Sequence, residues 1–190
     1  MDDSSKASLG AWLYEKTRLE WIKHSDVRSQ LPTLHRLFCY YCLLSSRISD
    51  RRYVRGGERA FRVVRRITKS FSLPDHSRVE VGGHTIFVDL LDPRFLQVIH
   101  EVRSPDTDLQ VLSRSFGRGR LPSLTLGANH GSFSVVASSI IGAEGHVIAV
   151  EPQPHLSALL RRSLEIGKSP YKVHQLELSE IARGMFRSIF

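Results

Sequence analysis

The stretch from Ser123 to Ser179 constrains the fold more than any other, because short aliphatic runs alternate there with longer segments whose apolar residues recur at helical spacing. A strand is expected around Ser123–Leu126, a helix around Ser132–Ile141, a strand around His146–Val150, a helix around Pro154–Ile166 and a strand around Lys172–Leu178. A helical start follows at Ser179. Strands joined by helices rather than tight turns pair in parallel, so this βαβαβ order implies a parallel, three-layer α/β sheet. With 190 residues, 41% of them hydrophobic, the chain can bury such a core and has room for little more than one complete domain.

Ahead of the alternation the texture is helical. Trp12, Leu13, Leu19 and Ile22 fit one amphipathic segment, and Leu34, Leu37, Phe38, Tyr41 and Leu44 fit another, with a break near Pro32. A third helix is expected from Glu58 to Lys69, with Phe61, Val64 and Ile67 on one face and Arg59, Arg62, Arg65, Arg66 and Lys69 around the remainder. The Ser72–Ser77 stretch is the natural joint, dividing a helical extension, 1–77, from a second part, 78–190. Val79–Val81, Gly82-Gly83 and Thr85–Val88 then read as a hairpin. Helices are expected near Arg94–Val102 and Asp108–Phe116, ending at Gly117-Arg118-Gly119.

Charge follows the same division. The formal net charge is +8, with 15 basic and 8 acidic residues in 1–77 against 12 and 11 in 78–190. A basic first part suits an anionic partner of some kind, whether nucleic acid, membrane surface or acidic protein. Nucleic acid ranks last among the functional readings, because the arginine-rich run from Arg51 to Lys69 shows no recognised DNA-binding motif. Cys39 and Cys42 have no second pair to complete a zinc site, so no metal is expected and a packing role is favoured. The longest apolar run, Leu37–Leu44, is too short for the roughly 20 residues of a membrane-spanning helix. The acidic, polar N-terminus is unlike a secretory signal, and the expectation is a soluble cytoplasmic protein.

The chemistry concentrates in Thr125-Leu126-Gly127-Ala128-Asn129-His130-Gly131-Ser132-Phe133, a strand end that turns through glycines into a helix. Glycines allow a tight bend and leave room for a ligand against the backbone. Glu151 stands 24 positions after Gly127, at the end of the second strand, where a carboxylate can accept both hydroxyl hydrogens of a ribose. A dinucleotide and S-adenosylmethionine are both held this way. The glycine spacing separates them: G-x-G-x-x-G cradles a pyrophosphate, whereas this chain has Asn129 and Ser132 at the second and third glycine positions. The Asn129 amide suits the amino-acid end of S-adenosylmethionine better than a diphosphate. His130 reads as an ordinary loop position, and no catalytic residue can be assigned.

The run Leu126–Ser134, followed by Gly145-His146-Val147-Ile148-Ala149-Val150-Glu151-Pro152-Gln153-Pro154, resembles the first two motifs of the FkbM-type S-adenosylmethionine-dependent methyltransferases. The likeness extends over about Thr85 to Ser179. It implies an incomplete Rossmann-like parallel sheet of the methyltransferase type, preceded by the α-helical extension. It further implies that Gly127, Ala128, Asn129 and Gly131 line the methionine side and that Glu151, with Pro152 beside it, binds the ribose. The activity implied is methyl transfer to a hydroxyl oxygen of a sugar, lipid or polyketide-like molecule. Thr125 stands where the family usually has an aspartate. Such domains also continue through further strands, whereas this chain ends at Phe190, so it reads as the truncated first half of one. The N-terminal helices, a partner or a second copy of the chain is then expected to cover the open sheet edge. The competing reading is an inactive remnant or interaction module.

Overall fold

In a computed structural model of the chain, residues 25–48, 56–92, 94–96, 98, 102, 123–167 and 169–176 are described. The helices expected around Trp12 to Ile22 and Asp108–Phe116, and the helical start at Ser179, lie outside the described residues. The chain divides into two compact units, Met1–Glu80 with Val88–His100, and Val81–Phe87 with Glu101–Phe190.

In the first unit, α1 (Ser25–Gln30) and α2 (Thr33–Ile48) are separated at Pro32, and α3 spans Gly57–Ser70. The buried face of α2 differs from the one that an apolar count selects. His35, Phe38, Cys39 and Cys42 are buried at positions i, i+3, i+4 and i+7, while Leu37, Tyr41 and Leu44 are exposed. Compact thiols and a hydrogen-bonded imidazole pack closely enough to turn the helix away from its bulkier stripe. The His35 Nε2–H donates to the Leu90 carbonyl at 3.1 Å, and its ring meets Phe95 edge to face at 6.2 Å. Desolvation holds this imidazole below its usual value of 6.5, against the upward pull of the Leu90 carbonyl. Both cysteines are free, and burial pushes the Cys42 thiol up to about 12 and Cys39 higher still.

Helix α3 buries Phe61 and Val64 and leaves its arginines outside, as expected from its pattern, whereas Ile67 is half-buried and Thr68 takes the buried place on the next turn. Its end is a Schellman turn: Leu73 N–H bonds the Thr68 carbonyl at 3.0 Å and Ser72 N–H bonds that of Lys69 at 3.4 Å. Ser72 takes the left-handed conformation that this turn requires, with φ of 49°.

The hairpin of β1 (His76–Val81) and β2 (His84–Asp89) turns through Gly82 and Gly83, at φ of 59° and 80°. Two positive φ values are what a two-residue turn needs to match the strand twist. Within the first unit the Gln30 side chain acts as a strand partner for β1. Its Nε2 donates to the Glu80 carbonyl at 3.0 Å, and its Oε1 accepts from the Glu80 N–H at 2.6 Å.

The second unit holds β3 (Ser123–Leu126), α4 (Ser132–Ile141), β4 (Val147–Val150), α5 (Pro154–Glu165) and β5 (Tyr171–His174). The three strands pair in parallel in the order β3-β4-β5, with Ser123 beside Val147 and Val147 beside Tyr171. This is the mixed α/β architecture with a parallel sheet that the alternation implies, although β5 ends at His174 rather than Leu178. Every residue of the central strand is buried, as befits a parallel strand covered on both faces. Helix α4 packs on β3 and β4, α5 packs on β5, and the two helices touch each other. Within this unit the Phe87 N–H of β2 donates to Ser163 Oγ at 2.9 Å, and the Arg162 guanidinium lies 4.1 Å above the Phe87 ring.

Two outcomes are expected. Ser72→Gly removes the cost of a side chain in a left-handed turn and raises stability by about 0.5–1 kcal/mol, read as a higher urea midpoint. The lowered His35 value means that the unfolded chain binds more protons, so stability is complete above pH 6.5 and declines as pH falls through the native value. His84, also lowered by burial, acts in the same direction. Urea unfolding of the native chain and of His35→Gln on both sides of pH 6.5 checks this, with a shallower acid slope in the variant.

Candidate functional site

At the carboxyl ends of β3 and β4 the backbone folds over the sheet edge. Ala128 N–H bonds the Val150 carbonyl at 2.9 Å, continuing the ladder one step past β3, and Gly131 N–H closes the turn on the Ala128 carbonyl at 2.9 Å. Gly127, Asn129 and Gly131 all have left-handed backbones, at φ of 65°, 54° and 91°. Asparagine tolerates this conformation better than other residues with a side chain.

The two glycines do different work. Nothing lies within 4 Å of a Cβ placed on Gly127, so the turn leaves open space on that side. A Cβ on Gly131 would collide with Leu160 Cδ1 of α5, so this position combines a positive φ with close helix approach.

Glu151 is 3% exposed, yet both carboxylate oxygens are satisfied. Oε2 accepts from the Asn129 N–H at 2.7 Å and Oε1 from the Gln153 N–H at 3.0 Å. A carboxylate offers about four lone-pair positions, so each oxygen keeps one for a further donor. The Glu151 backbone is fixed as well, its N–H bonding the His174 carbonyl of β5 at 3.0 Å.

The structure therefore brings the sequence-selected residues together. Asn129 and Glu151 are bonded directly, Gly127, Ala128 and Gly131 form the bend, and Pro152 continues from the acid, half-buried. The Asn129 Oδ1 is buried without a hydrogen-bond partner. His130 differs from its expectation as a plain loop position, being fully buried.

A separate cavity of about 340 Å³ lies in the same unit, lined by His84, Thr85, Val135, Ser139, Ser163 and Ile166 among others. It includes neither the turn residues nor Glu151. Among the described residues, no cluster of His, Cys, Asp or Glu could hold a metal ion, and no helix is long and apolar enough to cross a membrane.

No protein-family model matches the chain, and no curated protein is similar to it in sequence. Among solved structures, a transferase candidate from Pyrococcus horikoshii is similar at a TM-score of 0.34 and 12% identity, covering 60% of this chain and 47% of that one. The chain thus spans about half the length of that structure, and at this similarity neither fold nor activity carries across.

The contrast between the two glycines gives a measurable difference. Gly131→Ala adds steric collision to backbone strain and is expected to cost about 3 kcal/mol, whereas Gly127→Ala carries strain alone, about 1 kcal/mol. Denaturant unfolding of the two variants side by side checks the ordering.

Proposed function

We propose that the turn 127–131 and Glu151 bind S-adenosylmethionine, and that the chain belongs to methyl transfer onto a hydroxyl oxygen of a small molecule, in the manner of the FkbM-type enzymes its two motifs resemble. The observation that supports this most is the direct bond between the Asn129 N–H and the Glu151 carboxylate. It joins the glycine bend and the strand-end acid into one place, as a nucleoside site needs.

The residues suit that cofactor in three respects. Glu151 presents remaining acceptor positions for ribose hydroxyls, in a buried setting where a charge-assisted hydrogen bond is strong. Asn129 Oδ1 is an unmatched buried acceptor, fitted to a donor such as a hydroxyl or an ammonium group. Gly127 leaves the adjoining space clear. When bound, S-adenosylmethionine supplies an electrophilic methyl group on a sulfonium. The protein's share is to hold and orient the donor and to keep water from it.

Calorimetric titration of the full chain with S-adenosylmethionine and S-adenosylhomocysteine tests the reading. Saturable binding is expected, weakened roughly tenfold or more by Glu151→Gln through loss of a charged hydrogen bond. Gly127→Asn keeps a residue that accepts the left-handed backbone while filling the open space, and is expected to weaken binding without loss of fold. A flat titration, or an affinity unmoved by either variant while circular dichroism shows the fold intact, overturns the reading in favour of a remnant that keeps the bend without the ligand.

A further inference from the structure

The outer face of α3 carries a stripe of positive charge. Arg59, Arg62, Arg66 and Lys69 follow one another at spacings of three or four residues, so they stand in one row, with Arg65 beside it. The row is about 15 Å long at the rise of an α-helix. All five side chains are exposed. None of the five has an ion-pair partner among the described residues. After Glu58 the next acid in the chain is Asp75, so no carboxylate interrupts the stretch.

Exposed apolar groups stand beside this stripe. Phe71 is 72% exposed and Leu73 is 42% exposed, while Val63 is exposed on the helix itself. The Schellman turn fixes the first two close to the end of the row, since Ser72 N–H is tied to the Lys69 carbonyl and Leu73 N–H to that of Thr68. The packed side of the helix, Phe61, Val64 and Thr68, is already used in the core of its unit, and these outer residues are exposed among the described residues.

We propose that α3 and its terminal turn are a docking surface for an anionic phospholipid bilayer. The arginines and Lys69 meet the headgroup phosphates, and Phe71 and Leu73 enter the boundary between headgroups and acyl chains. A polybasic patch and a shallow apolar insertion are each weak alone and give stable, reversible attachment together. Nucleic acid would satisfy the same cations, but it offers nothing to an aliphatic side chain such as Leu73, and the one aromatic residue between the cations of the stripe, Phe61, is buried and cannot stack on bases. Lipid is therefore the occupant that accounts for both halves of the surface. This surface lies in the first unit and does not depend on the cofactor reading of the second.

Co-sedimentation of the full chain with phosphatidylcholine vesicles, with and without phosphatidylserine, tests the proposal. Binding is expected only with phosphatidylserine and is expected to fall with added salt. Neutralising Arg62→Gln, Arg65→Gln and Arg66→Gln together reduces it on the order of a hundredfold, at about 1 kcal/mol for each charge near the surface. Phe71→Ser reduces it several-fold. Removing two exposed cations elsewhere, Arg78→Gln and Lys172→Gln, leaves it nearly unchanged. The proposal fails if the native chain ignores anionic vesicles or binds the two vesicle types equally. It fails equally if the control pair weakens binding as much as the stripe variants do. Capture by RNA or DNA that needs the arginines but is indifferent to Phe71, with no vesicle binding, replaces lipid with nucleic acid.

Discussion

The second unit depends on a buried carboxylate that is never left without donors. Glu151 ends the central strand, where a charge out of water is costly unless hydrogen-bonded. Its two oxygens meet backbone N–H groups from separate segments, Asn129 across the sheet and Gln153 just beyond. One donor can reach only because the turn bends through left-handed residues at 127, 129 and 131, so that the Asn129 amide points back to β4. The acid thus shapes the bend, and the bend holds the acid in place. Removing the carboxylate would leave two backbone donors unmatched, at roughly 1–3 kcal/mol each. Any ligand role for Glu151 is therefore superimposed on a structural one.

Close packing behind the bend serves the same end. Gly131 has no side chain because Leu160 occupies that space, which draws α5 against the start of α4. Farther along, Ser169 Oγ shares its single hydroxyl hydrogen between the carbonyls of Ser138 and Gly142, fastening the segment before β5 to the end of α4. Small residues on α4, including Ser134, Ala137 and Ser138, are buried, and their size is what lets the helix lie close to its neighbours. The site is placed by a helix pair anchored at both ends.

Much of this was legible in the residues, because the periodicities are strong. The alternation of Val147–Val150 with helical segments announced a parallel sheet, Gly82-Gly83 announced the hairpin, and the division of α3 between Phe61-Val64 and its arginines announced an amphipathic helix. The association of Gly127, Asn129 and Gly131 with Glu151 followed from strand-end positions. Other features were hidden for physical reasons. The buried face of α2 is set by His35, Cys39 and Cys42, whose burial rests on a hydrogen bond and on compactness rather than on hydrophobicity. His130 is buried by tertiary packing, which no local pattern encodes. The pairing of the Glu151 carboxylate with two backbone amides is a matter of amide direction, visible only once three-dimensional distances are known.

The state of the two thiols has a practical consequence for watching the helical unit move. Cys39 and Cys42 are sealed in the core and held protonated at neutral pH, so a thiol reagent in solution meets no reactive sulfur in the closed form. Labelling then requires α2 to part from its neighbours, and its rate follows how often that happens. The unit carries a built-in clock for its own breathing, one that ticks without any dye or tag having been added beforehand.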